Sequence, residues 1–483
     1  MKRFFNIRNY FTLLSVLIMA GGCGNFLSEN PDNRVELNST TKAAELLTNA
    51  YSSAGYTFTE WMGNTVSYTT GTTKLQSQNQ SYNWQDVTSD AQDTPINFWT
   101  STYDAIAHSN EVLAIIDNLD DTQARRDAVK GEALLTRAYG HLMLVNLFAK
   151  QYNPQTASTD LGIPYVSTPE TVFIKKYKRN TIQETYDKIE ADILEGLNLV
   201  NDSYYANSGK YHFTKNAALA LASRFYLFKT DFANCVKYSS QLLDTDPDGF
   251  IKDIPTLLAQ KVNGDDYIRL YHAPGDKSNL LLVRQVTNFH ITMLGYWPSK
   301  TLYPAIFENN PFGLVDERED PAWVAGTNGL AAARYEPLFE RSSLTSNVGL
   351  NYTIALGFRG EEVLLNRAEC YVYQNQINSA IADLQRLVSK RYRGDATLSV
   401  NLLQYYYGTA NSQEAVLQFI LDERLKEFIQ EGLHWFDIKR YQIPVQHVLE
   451  NGSVITLTAN DNRKILQIPQ TAIDVGGLEP NPR

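Results

Sequence analysis

The chain has 483 residues, with 43 Lys or Arg against 53 Asp or Glu, a formal net charge of −10. That acidic balance argues against a nucleic-acid partner. Three cysteines cannot frame a chain of this length with disulfides, so the fold must rest on a buried core.

The N-terminus carries Lys2, Arg3 and Arg8, then an apolar run from Phe11 to Ala20, then Gly21, Gly22 and Cys23. The run is far short of the roughly 20 residues that cross a bilayer. It reads as a secretory signal, and Cys23 after two small residues resembles a lipoprotein box, with Ala20 where leucine is usual. Residues 1–22 are then a lipoprotein signal peptide and 23–39 a lipidated tether. The other reading is ordinary cleavage nearby, with Cys23 a spare thiol. Residues 1–22 hold three basic and no acidic residues, so the mature chain sits near −13. Several acyl chains on Cys23 would anchor it stably to a membrane.

Helical periodicity places helices at 40–54, 98–118, 124–149, 181–200, 214–229, 231–245, 359–374, 376–391 and 413–440. Two stretches read as helical pairs. In 214–245 the first helix is lined by Ala217, Ala218, Ala220 and Ala222, and the second carries Cys235, Val236, Leu242 and Leu243. Residues 359–391 repeat the theme, with Leu364, Leu365, Ala368 and Cys370 before the turn at Asn375. Small residues on one helix let the next lie close, as in tetratricopeptide repeats. Cys235 and Cys370 read as two isolated buried thiols, with a single disulfide as the alternative. No linker separates the two ends, so residues 40–483 read as a single helical-repeat domain with loop-rich excursions at 55–97 and 246–358.

Those excursions are rich in Tyr, Trp, Asn, Gly and Thr, and TVSYTTGTTKL and NLLLVRQVTNFHITML read as short strands. Long loops on a helical scaffold are where binding surfaces tend to sit. Aromatic faces stack on the C–H faces of sugar rings, while Asn, Gln and Arg pair with hydroxyls. The ligand-binding candidates are therefore Trp84, Trp297 and Trp323, then Tyr68, Tyr82, Asn83 and Tyr296. Each of these aromatics has a second reading, as a plug beneath its loop. The sequence contains none of the metalloprotease, nucleophile-elbow, phosphate-loop or dinucleotide motifs. Neither a cofactor nor a metal is expected. Asp316 and Asp320 in DERED offer oxygen ligands for Ca²⁺, but no ligand pattern with a fixed glycine accompanies them, and a solvated loop is the preferred reading.

Residues 423–441 read ERLKEFIQEGLHWFDIKRY. Leu421, Leu425, Phe428 and Ile429 form an apolar face, while Glu423, Glu427 and Glu431 recur at four-residue steps and repel one another unless paired. Arg424, Lys426, Lys439 and Arg440 are the nearest partners in sequence. Gly432 suits a helix end or a close backbone approach, and Trp435 and Phe436 plug the next element into the core.

This segment resembles the C-terminal signature of the SusD/RagB family. Other matches are Gly131, Glu132, Ala133, Arg137 and Ala138 in one helix, Gly162 and Pro164, and Arg179, Thr181, Tyr186, Ile189 and Asp192 in the next. Phe26, Leu27, Pro31 and Asp32 match near the start; Ile468, Pro469, Asn481 and Pro482 match near the end. His141 stands where an aromatic is usual, Ala472 where glutamate is usual and Pro480 where glutamine is usual. The resemblance implies a mainly α, tetratricopeptide-like scaffold of helical pairs with an irregular, loop-rich ligand-binding region. It also implies a lipid-anchored outer-membrane protein at the cell surface, without catalysis. Such a protein captures oligosaccharides for a SusC-like TonB-dependent transporter, or peptides if it is closer to RagB.

Overall fold

Short polar side chains mark the helix starts. Ser39, Thr94, Thr122, Thr181, Thr214 and Asp231 each accept a backbone N–H from three residues on, satisfying a donor that a first helical turn leaves unpaired. These caps open α1 (Thr40–Leu47), α2 (Pro95–Ile115), α3 (Gln123–Phe148), α4 (Ile182–Leu199), α5 (Lys215–Phe228) and α6 (Phe232–Leu243). Later come α7 (Gly360–Tyr373), α8 (Ile377–Val388), α9 (Ser412–Glu427) and α10 (His434–Arg440). The computed structural model describes residues 37–172, 175–205, 208–289, 295–320 and 322–483. Cys23, the signal, most of the tether and the matches at Phe26 to Asp32 lie outside them.

Two expected helices are cut short. The first stops at Leu47, where the Thr48 hydroxyl donates to Glu45 O at 2.7 Å and competes with the ladder. The expected 413–440 helix breaks between α9 and α10, because Gln430 and Gly432 take φ of 64° and 82°.

Helix α2 packs on α3 and α3 on α4; α5 packs on α6, α6 on α7, and α7 on both α8 and α9. This is the tetratricopeptide-like layering. Glycine sets the closest crossing. A Cβ on Gly131 of α3 would stand 2.6 Å from Val200 N, and one on Gly196 of α4 would stand 2.8 Å from Leu135 Cγ. Helix α5 is buried from Ala217 to Phe228, as suits a helix apolar all round. Residues Ser39–Arg483 form one compact unit, and among the described residues no helix is long and apolar enough to cross a membrane.

The strands are β1 (Asn279–Val286), β2 (Ala322–Ala325), β3 (Gly329–Ala332), β4 (Leu338–Arg341), β5 (Gly349–Arg359), β6 (Val445–Val448) and β7 (Val454–Leu457). They form an antiparallel sheet in the order β1-β5-β4 and two hairpins, β2-β3 and β6-β7. The strand expected around 65–75 is reduced to one bridge, Ser67 to Trp297. The 246–358 excursion also holds short helices at Ile254–Gln260, Gly264–Tyr271 and Leu302–Glu308; Asp253 and Asn263 cap the first two.

Candidate ligand-binding site

The site is held from beneath by the 423–441 segment. Glu423 pairs with Arg318 at 2.8 Å, Glu427 with Arg391 at 2.8 Å and with Arg359 and Arg318 at 3.2 Å, and Glu431 with Arg359 at 3.0 Å. Apart from a looser Lys426 contact to Glu423 at 3.7 Å, these are not the partners expected from sequence proximity. A helical neighbour stands about 100° round the axis. Arg424 therefore turns to Asp437 at 2.8 Å; Arg440 bonds Asp437 and Glu369, and Lys439 donates to the Asn146 and Ala149 carbonyls. Burial alone would raise the Glu427 pKa, but Arg391, Arg359 and Arg318 hold it well below the usual carboxylate range.

The same turn grips the 55–97 loop. Gly432 N donates to Glu60 Oε1 at 2.7 Å, and the Thr59 hydroxyl donates to Gly432 O at 2.9 Å. A Cβ on Gly432 would stand 2.7 Å from Tyr56 O. His434 Nε2 lies 2.7 Å from Asn64 Oδ1. Burial pushes Glu60 up to about 7 against three stabilising hydrogen bonds.

On this base stands a stack of four rings. Tyr296 lies on Tyr82 at 3.8 Å and 4°, Tyr82 on His447 at 4.0 Å and 9°, and His447 on Trp84 at 4.4 Å and 19°. Tyr68 meets the outer Tyr296 edge-on at 6.2 Å, with Lys74 Nζ 4.2 Å above its ring. Both tyrosine hydroxyls and the indole N–H are satisfied. Tyr296 donates to Asn79 Oδ1 at 2.6 Å, Tyr82 to Val448 O at 2.9 Å and Trp84 Nε1 to Met62 O at 2.9 Å. The two ring nitrogens of His447 lie 2.7 Å from the carbonyls of Tyr82 and Gly63. Trp84 has φ 51°, a left-handed conformation that a tryptophan adopts only under constraint.

At the Trp84 end the stack meets a cavity of about 370 Å³. Asp86, Arg463, Gln467, Gln470 and Arg483 supply its polar wall, and Ile96 and Pro469 its apolar one. Arg483 bonds Asp86 at 2.6 Å, and the Arg463 guanidinium sits 5.8 Å over the Trp84 ring. This size and mixture suit a small polar ligand.

Four of the candidates thus converge: Tyr68, Tyr82, Trp84 and Tyr296. Asn83 bonds back to Asn79 O at 2.7 Å, closing the Gln76–Tyr82 helix. Trp297 is 1 % exposed and packs on Phe289 at 5.3 Å, so its ring supports the loop from below. Trp323, on β2, is half-buried against the cluster of Ile254, Tyr267 and Tyr271, outside the stack; its Nε1 would lie 3.1 Å from a Cβ on Gly264. His447 was legible only as one end of a hairpin, from alternation on either side of Asn451-Gly452.

Asp316 is fully buried, with its two oxygens on Arg318 at 2.9 and 2.6 Å, and Asp320 pairs with Lys261 at 2.9 Å. The segment is therefore neither a solvated loop nor a Ca²⁺ loop, since Asp316 is spent on the ion-pair core. Among the described residues no group of three or more His, Cys, Asp or Glu could hold a metal. Cys235 and Cys370 are free thiols but not isolated ones. Cys235 Sγ lies 3.8 Å from Asn366 O on α7, and burial together with Cys235 raises the Cys370 thiol pKa.

A family model described as "Starch-binding associating with outer membrane" matches residues 25–227, and one described as "SusD family" matches residues 340–475. No curated protein matches. Among solved structures, a SusD superfamily protein from Bacteroides vulgatus superposes with a TM-score of 0.69 at 16 % identity, covering 92 % of this chain and 99 % of that one. A putative sugar binding protein from Bacteroides vulgatus gives 0.68 at 18 % identity over 93 % and 99 %. A SusD-like carbohydrate binding protein from the same organism gives 0.64 at 18 % over 91 % and 97 %. At these identities the structures establish the fold. The two models bracket the repeat scaffold, the second takes in all of residues 423–441, and the chain belongs to the SusD/RagB family.

Proposed function

We propose that this protein is a non-catalytic, lipid-anchored outer-membrane protein that captures oligosaccharides at the Trp84 cavity and delivers them to a SusC-like TonB-dependent transporter. Residues 1–22 serve as its signal and residues 23–39 as its tether, with Cys23 carrying the lipid. The observation that carries the reading is the cavity itself, where the rim of the largely buried Trp84 indole and an apolar wall border guanidinium, amide and carboxylate groups. Guanidinium and amide groups pair with sugar hydroxyls, and the apolar wall meets the less polar C–H edges of the rings. The description of the N-terminal family model and the names of two structural neighbours support carbohydrate as cargo. Binding without cleavage fits the chemistry, since among the described residues Asp86 is the one acidic side chain lining the cavity and Arg483 holds it. Glycoside hydrolysis ordinarily needs a pair.

Affinity electrophoresis of the soluble mature protein against a panel of polysaccharides, with peptides run in parallel by calorimetry, tests the cargo. Retardation by at least one glycan is expected. Binding to peptides alone would transfer the cargo to the RagB-like class.

A further inference from the structure

Residues 459–466 separate the Trp84 cavity from a second one of about 330 Å³, and Ile465 lines both. Arg463 faces the first and Lys464 the second. Lys439 from α10 and the Lys150–Asp160 pair complete the charged wall of the second cavity, and Asn153 and Asn462 add amides. Among the described residues no aromatic ring lines it, so stacking is not what would hold a ligand there.

Among the described residues neither of its two deepest cations forms a direct ion pair, although the Asp461 carboxylate acts on Lys464 from nearby. Lys439 and Lys464 are 2 % and 3 % exposed. Lys439 Nζ donates to the carbonyls of Asn146 and Ala149 at the end of α3, and Lys464 Nζ donates to Ile443 O at 2.8 Å and Ala459 O at 2.7 Å. An ammonium has three donors, so each keeps one in hand. The lining acids are committed elsewhere, Asp160 to Lys150 at 2.6 Å and Asp461 to Arg463 at 2.7 Å. Those partners hold both acids below the usual carboxylate range. The α3 carbonyls offset part of the Lys439 charge without supplying a counter-ion. Buried charges are ordinarily paired, and a pair of under-neutralised ammoniums on a cavity wall is half of an anion site.

We propose that this second cavity binds an oxyanion through Lys439 and Lys464, and that the oxyanion is the uronate or sulfate group of an acidic saccharide. The saccharide half rests on the carbohydrate reading above; the oxyanion half does not. Burial lowers the Lys439 ammonium to about 7 and lowers Lys464 against the pull of Asp461. An anion that favours the charged lysine must therefore bind more weakly as pH rises past that point.

Calorimetry of the mature protein with sodium sulfate, sodium glucuronate and glucose, at pH 6 and 8.5 and constant ionic strength, tests this. Both anions are expected to bind at pH 6 and glucose not, with affinity falling about tenfold or more by pH 8.5. Lys464→Gln is expected to abolish anion binding and Lys464→Arg to retain it, with melting temperatures compared to verify folding. Absence of anion binding at pH 6, or affinities unchanged by pH and by Lys464→Gln, would overturn the site. Sulfate bound with glucuronate and a monosaccharide sulfate, added as a fourth titrant, both refused would overturn the saccharide assignment. Because sulfate is no sugar, its result stands whether or not the Trp84 cavity takes glycans.

Discussion

Glu427 meets three arginines in a region closed to water, and each comes from a different stretch of chain. Removing the carboxylate charge leaves Arg391, Arg359 and Arg318 under-neutralised. Glu427→Gln is expected to cost about 3–5 kcal/mol in denaturant unfolding, a large part of the roughly 5–15 kcal/mol that holds a domain together. Glu60 behaves oppositely. Its folded pKa is raised to about 7, so the folded state holds the extra proton and its stabilising share is full below about pH 4.5 and lost as pH rises through 7. Glu60→Gln escapes this loss. Its stability relative to wild type is expected to improve by about 3 kcal/mol between pH 4 and pH 8, and parallel pH profiles would refute the buried carboxyl. The glutamate ladder was legible in the sequence, but its arginines were not. Arg391 and Arg318 lie 36 and 109 positions from Glu427, beyond any local pattern.

The turn between α9 and α10 couples two elements that the sequence presents as unrelated, the signature and the 55–97 loop. Gly432 combines φ 82° with 2.7 Å between a would-be Cβ and Tyr56 O. Gly432→Ala is therefore expected to cost about 1–3 kcal/mol and to speed hydrogen exchange in residues 57–65. Unchanged exchange there would mean that the turn does not anchor the loop. Long helices were legible because period and cap agree, as at Thr181 with Glu184. The Gln76–Tyr82 helix was not, since its sequence QSQNQSY has no apolar stripe; Gln78 Oε1 on Leu75 N at 2.9 Å starts it. The expected strand at 65–75 failed for a related reason. Thr70 is held by the Asn328 side chain, and Lys74 Nζ bonds Thr69 O, in place of a partner ladder.

Across the whole molecule, the rings that converge come from residues 68–84, from 296 and from a hairpin at 447, and the last residues close the cavity beside them. Asn481 Nδ2 donates to Phe148 O and Leu466 O at 2.8 Å, while Arg179 Nη1 donates to Glu479 O at 2.8 Å. The ring stack and the cavity beside it are thus assembled by the finished fold and are not a local motif. That is why aromatic content pointed to the loops that supply these rings yet could not separate Trp84, 4 % exposed and in the stack, from Trp297, 1 % exposed and outside it. The most direct measurement is calorimetric titration of a retained glycan into wild type and into the double variant Arg463→Ala, Gln470→Ala, which strips the cavity wall, the guanidinium over Trp84 included, while leaving all four rings in place. The account predicts at least a tenfold loss of affinity, about 1.4 kcal/mol, with an unchanged melting temperature. Full affinity in the stripped cavity would place the glycan elsewhere and contradict it.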